Sequence, residues 1–598
     1  MKSVHQFHIP VMGLAFTIDS PIKVARYGIA STISIIEDRL IELMRAHYYK
    51  ERNESYFPIT PKQEDYRARR ITDYLDLVNR IVSEQTEKLR TSAFGVGSEI
   101  SKYFDMLPSK SELRRLFEKM NSSDGFTKTT LEKIIRSQIA PGAIDVNIMT
   151  KVDKETHGND DQAIPDSSDA LTALRGYANS SLTNSSIIFS AGMNPRLFNY
   201  LERLSAFDAR GHGEFDKKIV IKVSDYRSAL IQGKYLAKKG VWVSEFRIES
   251  GLNCGGHAFA TDGTLLGPIL EEFKTKKKHL AQTLFELYKP VAELKTGLEF
   301  IEPHPIKITV QGGVGTFEEA DFLQQHYQVE SIGWGTPFLL CPEATTVDSE
   351  TLHLLSKAKE DDVILSKNSP LGIRFHYLKG TTSEKEKFRR IEKGKPGSPC
   401  TEKFLVSNTE FTKEPICTAS YTYQKLKIQH LKTLNLPAEE YEKQYRNVVN
   451  KECLCIGLSN AAIVAYDLPP VKGLTAVTIC PGPNIAYFNK IVTLREMTDH
   501  IYGRATVMSC QNRPHMFIKE LELNIAYAKE QFDTLKDGDT KSIKDLVDFI
   551  KQLIVGVEYY RTLSSKIDNA VDFSNRINIL ECELTDIFAE IMKKYHAR

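Results

Sequence analysis

Between residues 8 and 345, short apolar segments alternate with amphipathic helix patterns. No other feature of the chain constrains its fold as strongly. The apolar segments lie at 8–15, at the end of 21–35, and at 143–150, 185–192, 217–224, 241–250, 306–313 and 329–340. Most are followed by residues apolar at every third or fourth position, the signature of a helix with one buried face. A strand that feeds a helix and then another strand makes a parallel pair. About eight such units in succession predict an α/β fold, a closed (β/α)8 TIM barrel.

The remaining chain divides around that barrel. Residues 1–50 and 140–380 are assigned to the barrel, and 51–139 to a helical insertion after the second strand, too long for an ordinary connection. Residues 381–510 are expected to be irregular and carry several cysteines, while 511–598 are expected to be helical. The amphipathic helices of that last region suit packing or a homo-oligomer surface. Lys plus Arg total 79 and Asp plus Glu 77, a net charge of +2 that gives no case for a dedicated nucleic-acid binder. No apolar run reaches the ~18–20 residues that span a bilayer. The opening stretch shows no apolar run with a small-residue cleavage site. Nine cysteines in so long a chain suit a reducing cytoplasm. A soluble cytoplasmic protein is expected.

The chemistry concentrates in glycine clusters. Val310-Gln311-Gly312-Gly313-Val314-Gly315-Thr316 follows a strand and opens a helix, and Thr316 with Glu319 has capping-box spacing. Glycines turn backbone amides toward an anion, and a helix N-terminus favours phosphate. Gly333-Trp334-Gly335-Thr336 ends the next strand. One such cluster alone reads as a turn that lets helices pack. Two, after consecutive late strands, match the phosphate site of a (β/α)8 barrel. Cys254-Gly255-Gly256-His257 lies just past an earlier strand, where its glycines admit a flat ring. His257 is a candidate acid or base, because imidazole titrates near neutral pH, although a lone histidine equally serves packing. Cys254 reads as a small buried hydrophobe or, second, as a proton donor. Cys400, Cys417, Cys453 and Cys455 sit beside Gly, Pro and Ser. They read either as four unlinked thiols or as ligands of Zn²⁺ or, preferably, a [4Fe–4S] cluster.

In their order along the chain these stretches resemble the nitronate monooxygenase family, the 2-nitropropane dioxygenase-like flavoproteins that include FMN-dependent enoyl-acyl carrier protein reductases. Pro10-Val11-Met12-Gly13 resembles the family's opening strand, and 143–150, with Asn147, its third. Gly255-Gly256-His257 resembles its Gly-Gly-His segment, and the two late glycine clusters its FMN-phosphate loops. Residues 361–365 through 372–374 resemble the segment after its last strand. The resemblance covers about 8–52 and 140–380. It implies an FMN-dependent oxidoreductase, a monooxygenase or an NAD(P)H-using reductase of an activated C=C bond, acting on a small organic or acyl substrate. It implies that Gly312, Gly313, Gly315, Gly333, Gly335 and Thr336 hold the phosphate. Met12, Gly13, Asn147, Gly255 and Gly256 then approach the rest of the cofactor, with His257 as acid or base. A barrel enzyme that binds phosphate without flavin, and a scaffold, are the other readings.

Overall fold

The computed structural model describes residues 4–148, 153–156, 164–190, 192–510, 512–535 and 539–596. Eight parallel strands close a barrel in chain order: β1 (Phe7–Ile9), β2 (Ala30–Ser34), β3 (Ile144–Ile148), β4 (Ser186–Phe189), β5 (Lys218–Val223), β6 (Glu245–Glu249), β7 (Lys307–Gln311) and β8 (Ser331–Gly333), with β8 returning to pair with β1. Each of the eight expected segments overlaps one of these strands; β1 begins one residue before its segment, at Phe7. Positions 149, 150 and 191 of two of them, and 537–538 of an expected turn at 537–540, lie outside the described residues.

Alternation along the strands separates two environments. Ile33, Val146, Ile187, Ile219, Phe246, Ile308 and Ile332 belong to the apolar core between strands and helices. The alternate residues, paired across the ladder as Thr32 with Asp145, Asn147 with Ile188, Thr309 with Arg247 and Gln311 with Glu249, line the lumen. Barrel lumens are usually filled by branched aliphatic residues; this one is polar. Two of its charges pair: Arg247 Nε donates to Glu245 Oε1 at 2.8 Å, and Thr309 Oγ1 donates to the same oxygen at 2.6 Å.

The chain from β2 to β3 carries five helices, Asp38–Glu51, Tyr66–Thr91, Glu99–Asp105, Glu112–Asn121 and Gly125–Ser137. Tyr66–Thr91 packs on Asp169–Asn179, the helix after β3. They cross at Gly176, where a Cβ would stand 2.7 Å from the Ala68 carbonyl oxygen. Residues 381–510, expected to be irregular, form five α-helices joined by long non-repetitive stretches: Thr382–Glu392, Tyr421–Thr433, Ala438–Val449, Leu454–Ala465 and Leu494–Ile501. The pattern hid some of them for a physical reason. Leu454–Ala465 is buried nearly all round, so it has no apolar stripe to read. Met516–Thr534, Thr540–Leu563 and Ala570–His596 form a C-terminal three-helix unit, with Phe517 stacked on Tyr560 at 4.7 Å between centroids. No single described helix is long and apolar enough to cross a membrane.

Candidate active site at the barrel mouth

A cleft with about 720 Å³ of atom-free space, counting its solvent-open part, lies at the C-terminal ends of the strands. Its walls come from one side of the barrel only. The loop after β1 supplies Pro10, Val11, Met12 and Gly13, and β6 with its loop supplies Glu249 and Asn253–Gly256. The ends of β7 and β8 supply Gln311–Val314, Gly333, Gly335 and Thr336. Ile479–Gly482 and Asn484, far along the chain, close the mouth. They reach so near that a Cβ on Gly255 would stand 2.5 Å from the Cys480 carbonyl oxygen, to which Gly256 N–H donates.

The two glycine loops differ in what their amides meet. Gly312 and Gly313 have φ of +106° and +83°, a region where a side chain is strained. Among the described residues, the amides of Gly313, Val314 and Gly335 donate to no group of the chain. Gln311 Oε1, in the same wall, is buried and lacks a donor. The helix that follows β7, Phe317–Tyr327, begins where the capping box predicts, with Thr316 Oγ1 accepting from Glu319 N–H at 3.2 Å. Its N-terminus is not open to an anion, however. The Glu319 carboxylate already accepts from Gly315 N–H at 2.8 Å and Met516 N–H at 2.6 Å. Arg513, from the C-terminal region, pairs with it at 2.7 Å, and both are almost fully buried. Burial pushes the Glu319 carboxyl up, but Arg513 and His515 outweigh it and hold it below the usual carboxylate range.

Glu249 carries the charge inside the cleft. It accepts from Gln311 Nε2 at 2.7 Å and from Lys222 Nζ at 3.2 Å. Cys254 stands beside it. Burial first, and then the negative Glu249, push its thiol well above the ordinary range, so it stays protonated. A thiol in that state donates a hydrogen bond or a proton and is a poor nucleophile.

Of the residues singled out in the sequence, Met12, Gly13, Cys254, Gly255, Gly256, Gly312, Gly313, Gly333, Gly335 and Thr336 line the cleft. Three do not. Gly315 is turned away, its amide taken by Glu319, and a Cβ there would strike the Arg513 guanidinium at 2.7 Å. Asn147 is buried in the lumen wall, with Oδ1 lacking a partner. His257 sits in a short strand, His257–Ala258, paired with Arg374–Leu378. Its Nε2 lies 2.7 Å from Ser369 Oγ, and its ring rests edge-on against Phe375. Glu249, Lys222, Gln311, Asn484 and Arg513 went unremarked as site residues. Polar residues at the C-terminal ends of β5, β6 and β7 were the available signal for the first three. Nothing local marked the last two, since they arrive by tertiary packing.

The four cysteines converge outside the barrel. Cys400 lies beside Cys417, and Cys453 beside Cys455. Within each pair one thiol, Cys400 or Cys453, is pushed down and its partner up. No three His, Cys, Asp or Glu side chains among the described residues are spaced to hold a single metal ion.

A solved structure similar to this chain is the enoyl reductase domain of MlnA from the macrolactin biosynthesis cluster of Bacillus amyloliquefaciens. It is 15% identical with a TM-score of 0.32, over 71% of this chain and 89% of that one. No family model matches the chain, and no curated protein sequence matches it.

Proposed function

We propose that the chain is an FMN-dependent oxidoreductase acting on a small organic or acyl substrate at the barrel mouth. The observation that carries this reading is the unsatisfied wall of the cleft. Among the described residues, the amides of Gly313, Val314 and Gly335 and the oxygen Gln311 Oε1 have no partner, yet they sit side by side on one surface. Groups of this kind await a ligand with anionic oxygens at one end and an N–H donor at the other. The residues fit a flavin mononucleotide. Gly312, Gly313, Gly335 and Thr336 would hold its phosphate, and Met12, Gly13 and Gln311 would flank its ring. When bound, FMN supplies hydride or single-electron transfer.

The acid–base work falls to Cys254 and Glu249. Cys254 lines the cleft with its proton retained and is placed to give that proton to a substrate carbon or oxygen. Lys222 and Glu249 restore it by relay, at 3.2 Å from each other. His257 acts at one remove, by fixing the strand that follows the Gly255-Gly256 turn. The test is an absorption spectrum of the purified chain with added FMN, followed by NAD(P)H oxidation with an enone and, separately, with a nitronate. Uptake of FMN and turnover stimulated by the enone are expected. Cys254→Ser should lower turnover about 100-fold while FMN stays bound. Protein that takes up no FMN overturns the cofactor, and a fully active Cys254→Ser overturns the proton donor.

A further inference from the structure

A second cavity lies outside the barrel, a groove with about 1470 Å³ of atom-free space, counting its solvent-open part. Cys400 and Cys417 both line it. The backbone draws their two stretches together. Ser398 N–H donates to Ala419 O, and Tyr421 N–H to Ser398 O, both at 3.0 Å, so Ser398 and Ser420 form a short parallel bridge. Ser420 N–H also donates to Cys417 O at 2.9 Å, a turn that folds Cys417 back toward the bridge. Cys400 is two residues past Ser398 on the other side of it. Both thiols are free of disulfides, and Cys400 is half-buried where Cys417 is buried. One thiol of the pair is therefore the more accessible from the groove.

The groove is cationic. Arg390, Lys393, Lys395 and Lys403 line it, and Glu414 is the one acid among its lining residues. Arg390 is bridged to Glu386 at 2.9 Å and donates through Nη1 to Ser398 Oγ at 2.8 Å, so it braces the Cys400 loop. The three lysines are exposed, and among the described residues none of them pairs with a carboxylate. Cations beside a thiol favour the thiolate. The Cys400 thiol is held below the ordinary range, by Cys417 first and then by Lys403, against its burial. Cys417 is pushed up, by Cys400 first and then by burial. The larger of those two causes weakens once Cys400 no longer carries a charge. We propose that this groove is a thiol–disulfide exchange site for an anionic disulfide, with Cys400 as the attacking thiol and Cys417 as the resolving one.

The Cys400 thiolate attacks one sulfur of the disulfide. A bond forms between Cys400 Sγ and that sulfur, and the disulfide's own S–S bond breaks. The other half leaves as a thiolate and takes a proton from solvent. Cys417 then gives its proton to solvent, and its sulfur attacks Cys400 Sγ. That expels the second half, which is protonated in turn. The chain's two thiols lose two electrons and two protons and become one disulfide, while the reagent gains both and becomes two thiols. The unpaired lysines set the substrate class, because they attract a disulfide that bears carboxylates and repel a cationic one. No step involves the barrel mouth, so the exchange site and the flavin site fail separately.

The reduced full chain would be treated with glutathione disulfide, which is anionic, and in parallel with cystamine, which is cationic. Intact mass and peptide mapping would follow the products over time. The expected product is a Cys400–Cys417 disulfide, formed about tenfold faster with glutathione disulfide at low salt. The two rates should converge at high salt. Cys417→Ser should stop at a glutathionylated Cys400, and acid quenching of the parent at early times should catch the same adduct, so the order of attack is read even if that variant folds poorly. Replacing Lys393, Lys395 and Lys403 together by Gln should abolish the preference for the anionic reagent. Cys582→Ser, at an exposed position, should behave as the parent. A Cys400 that stays unmodified while Cys582 reacts overturns the proposal. So do equal rates with the two reagents at low salt, or a disulfide that joins other cysteines.

Discussion

The loops after β7 and β8 look alike in sequence, each a glycine run ending in threonine, and the fold uses them differently. Thr316 caps a helix whose own Glu319 turns back to take the Gly315 amide just before it, and that carboxylate is clamped by Arg513 and Met516. Thr336 caps nothing; its hydroxyl accepts Gly482 N–H at 3.0 Å, from the segment that closes the mouth. The β7 loop is therefore locked from the C-terminal side and offers only Gly312 to Val314 to the cleft. The β8 loop stays open at Gly335. A helix N-terminus favours anions, but that argument fails for a ligand wherever a buried carboxylate arrives first.

The strongest way to break the contrast is to remove the clamp. In Arg513→Ala, Glu319 remains buried without its cation, and Gly313 O and Asn484 Oδ1 lose donors at 2.5 and 2.6 Å. Removing one partner of a buried pair costs about 3–5 kcal/mol. Denaturant unfolding should show a loss of that size. A loss below about 1 kcal/mol would mean that the β7 loop holds without the clamp.

The C-terminal helix Met516–Thr534 carries another buried acid, Glu520. It accepts from Tyr560 Oη at 2.7 Å, Leu266 N–H at 3.0 Å and Ser250 Oγ at 3.1 Å, joining the helix to the chain beyond β6. Burial pushes its carboxyl up from 4.5 to about 7 against those hydrogen bonds. The folded chain thus keeps a proton that the unfolded chain gives up at lower pH. Its stability is fully present below the unfolded value and falls as pH rises through the interval to about 7. The loss amounts to about 3 kcal/mol. Thermal melts of Glu520→Gln from pH 5 to 8 should lack this decline. A variant that declines as steeply as the parent would show that Glu520 is ionised in the fold.

The barrel was legible because both of its periodicities are written locally. Strands such as 217–224 and 306–313 stand out as apolar runs, and the helices between them as stripes. The glycine clusters were legible for a related reason: a backbone that must take φ near +83° or +106° calls for glycine. The clamp was not. Arg513 and Glu319 are 194 residues apart, and only packing brings them together. The placement of His257 was equally hidden, since it depends on pairing with Phe375, another long-range contact. The thiol set was partly visible as composition, but convergence of its three stretches is a property of the fold.

A smaller effect should come from Gly313→Ala. A left-handed backbone costs an L-residue about 1–2 kcal/mol. The new methyl would also meet the Asn253 side-chain amide at 2.1 Å, which must move. Asn253 Nδ2 donates to Met516 O at 3.2 Å, so the displacement again reaches the C-terminal helix. Weaker FMN binding and a lower melting temperature are expected together. An unchanged melting temperature would show that the loop has slack.

Gly335→Ala should have the smallest effect on the fold and the clearest effect on the site. Gly335 has φ of −102°, so an L-residue is not excluded by the left-handed region. Its Cβ would lie 3.3 Å from Pro10 Cγ and 3.6 Å from Met12 Sδ, close contacts that small shifts relieve. Stability should change by less than about 1 kcal/mol. Pro10 and Met12 both line the cleft, so the methyl enters the space assigned to the cofactor. FMN titration should show about a tenfold weaker complex, about 1.4 kcal/mol, at an unchanged melting temperature of the free chain. If Gly335→Ala binds FMN as the parent does while Gly313→Ala does not, the anion site belongs to the β7 loop alone. The open β8 loop would then be a contact for the closing segment at Gly482 rather than for a ligand.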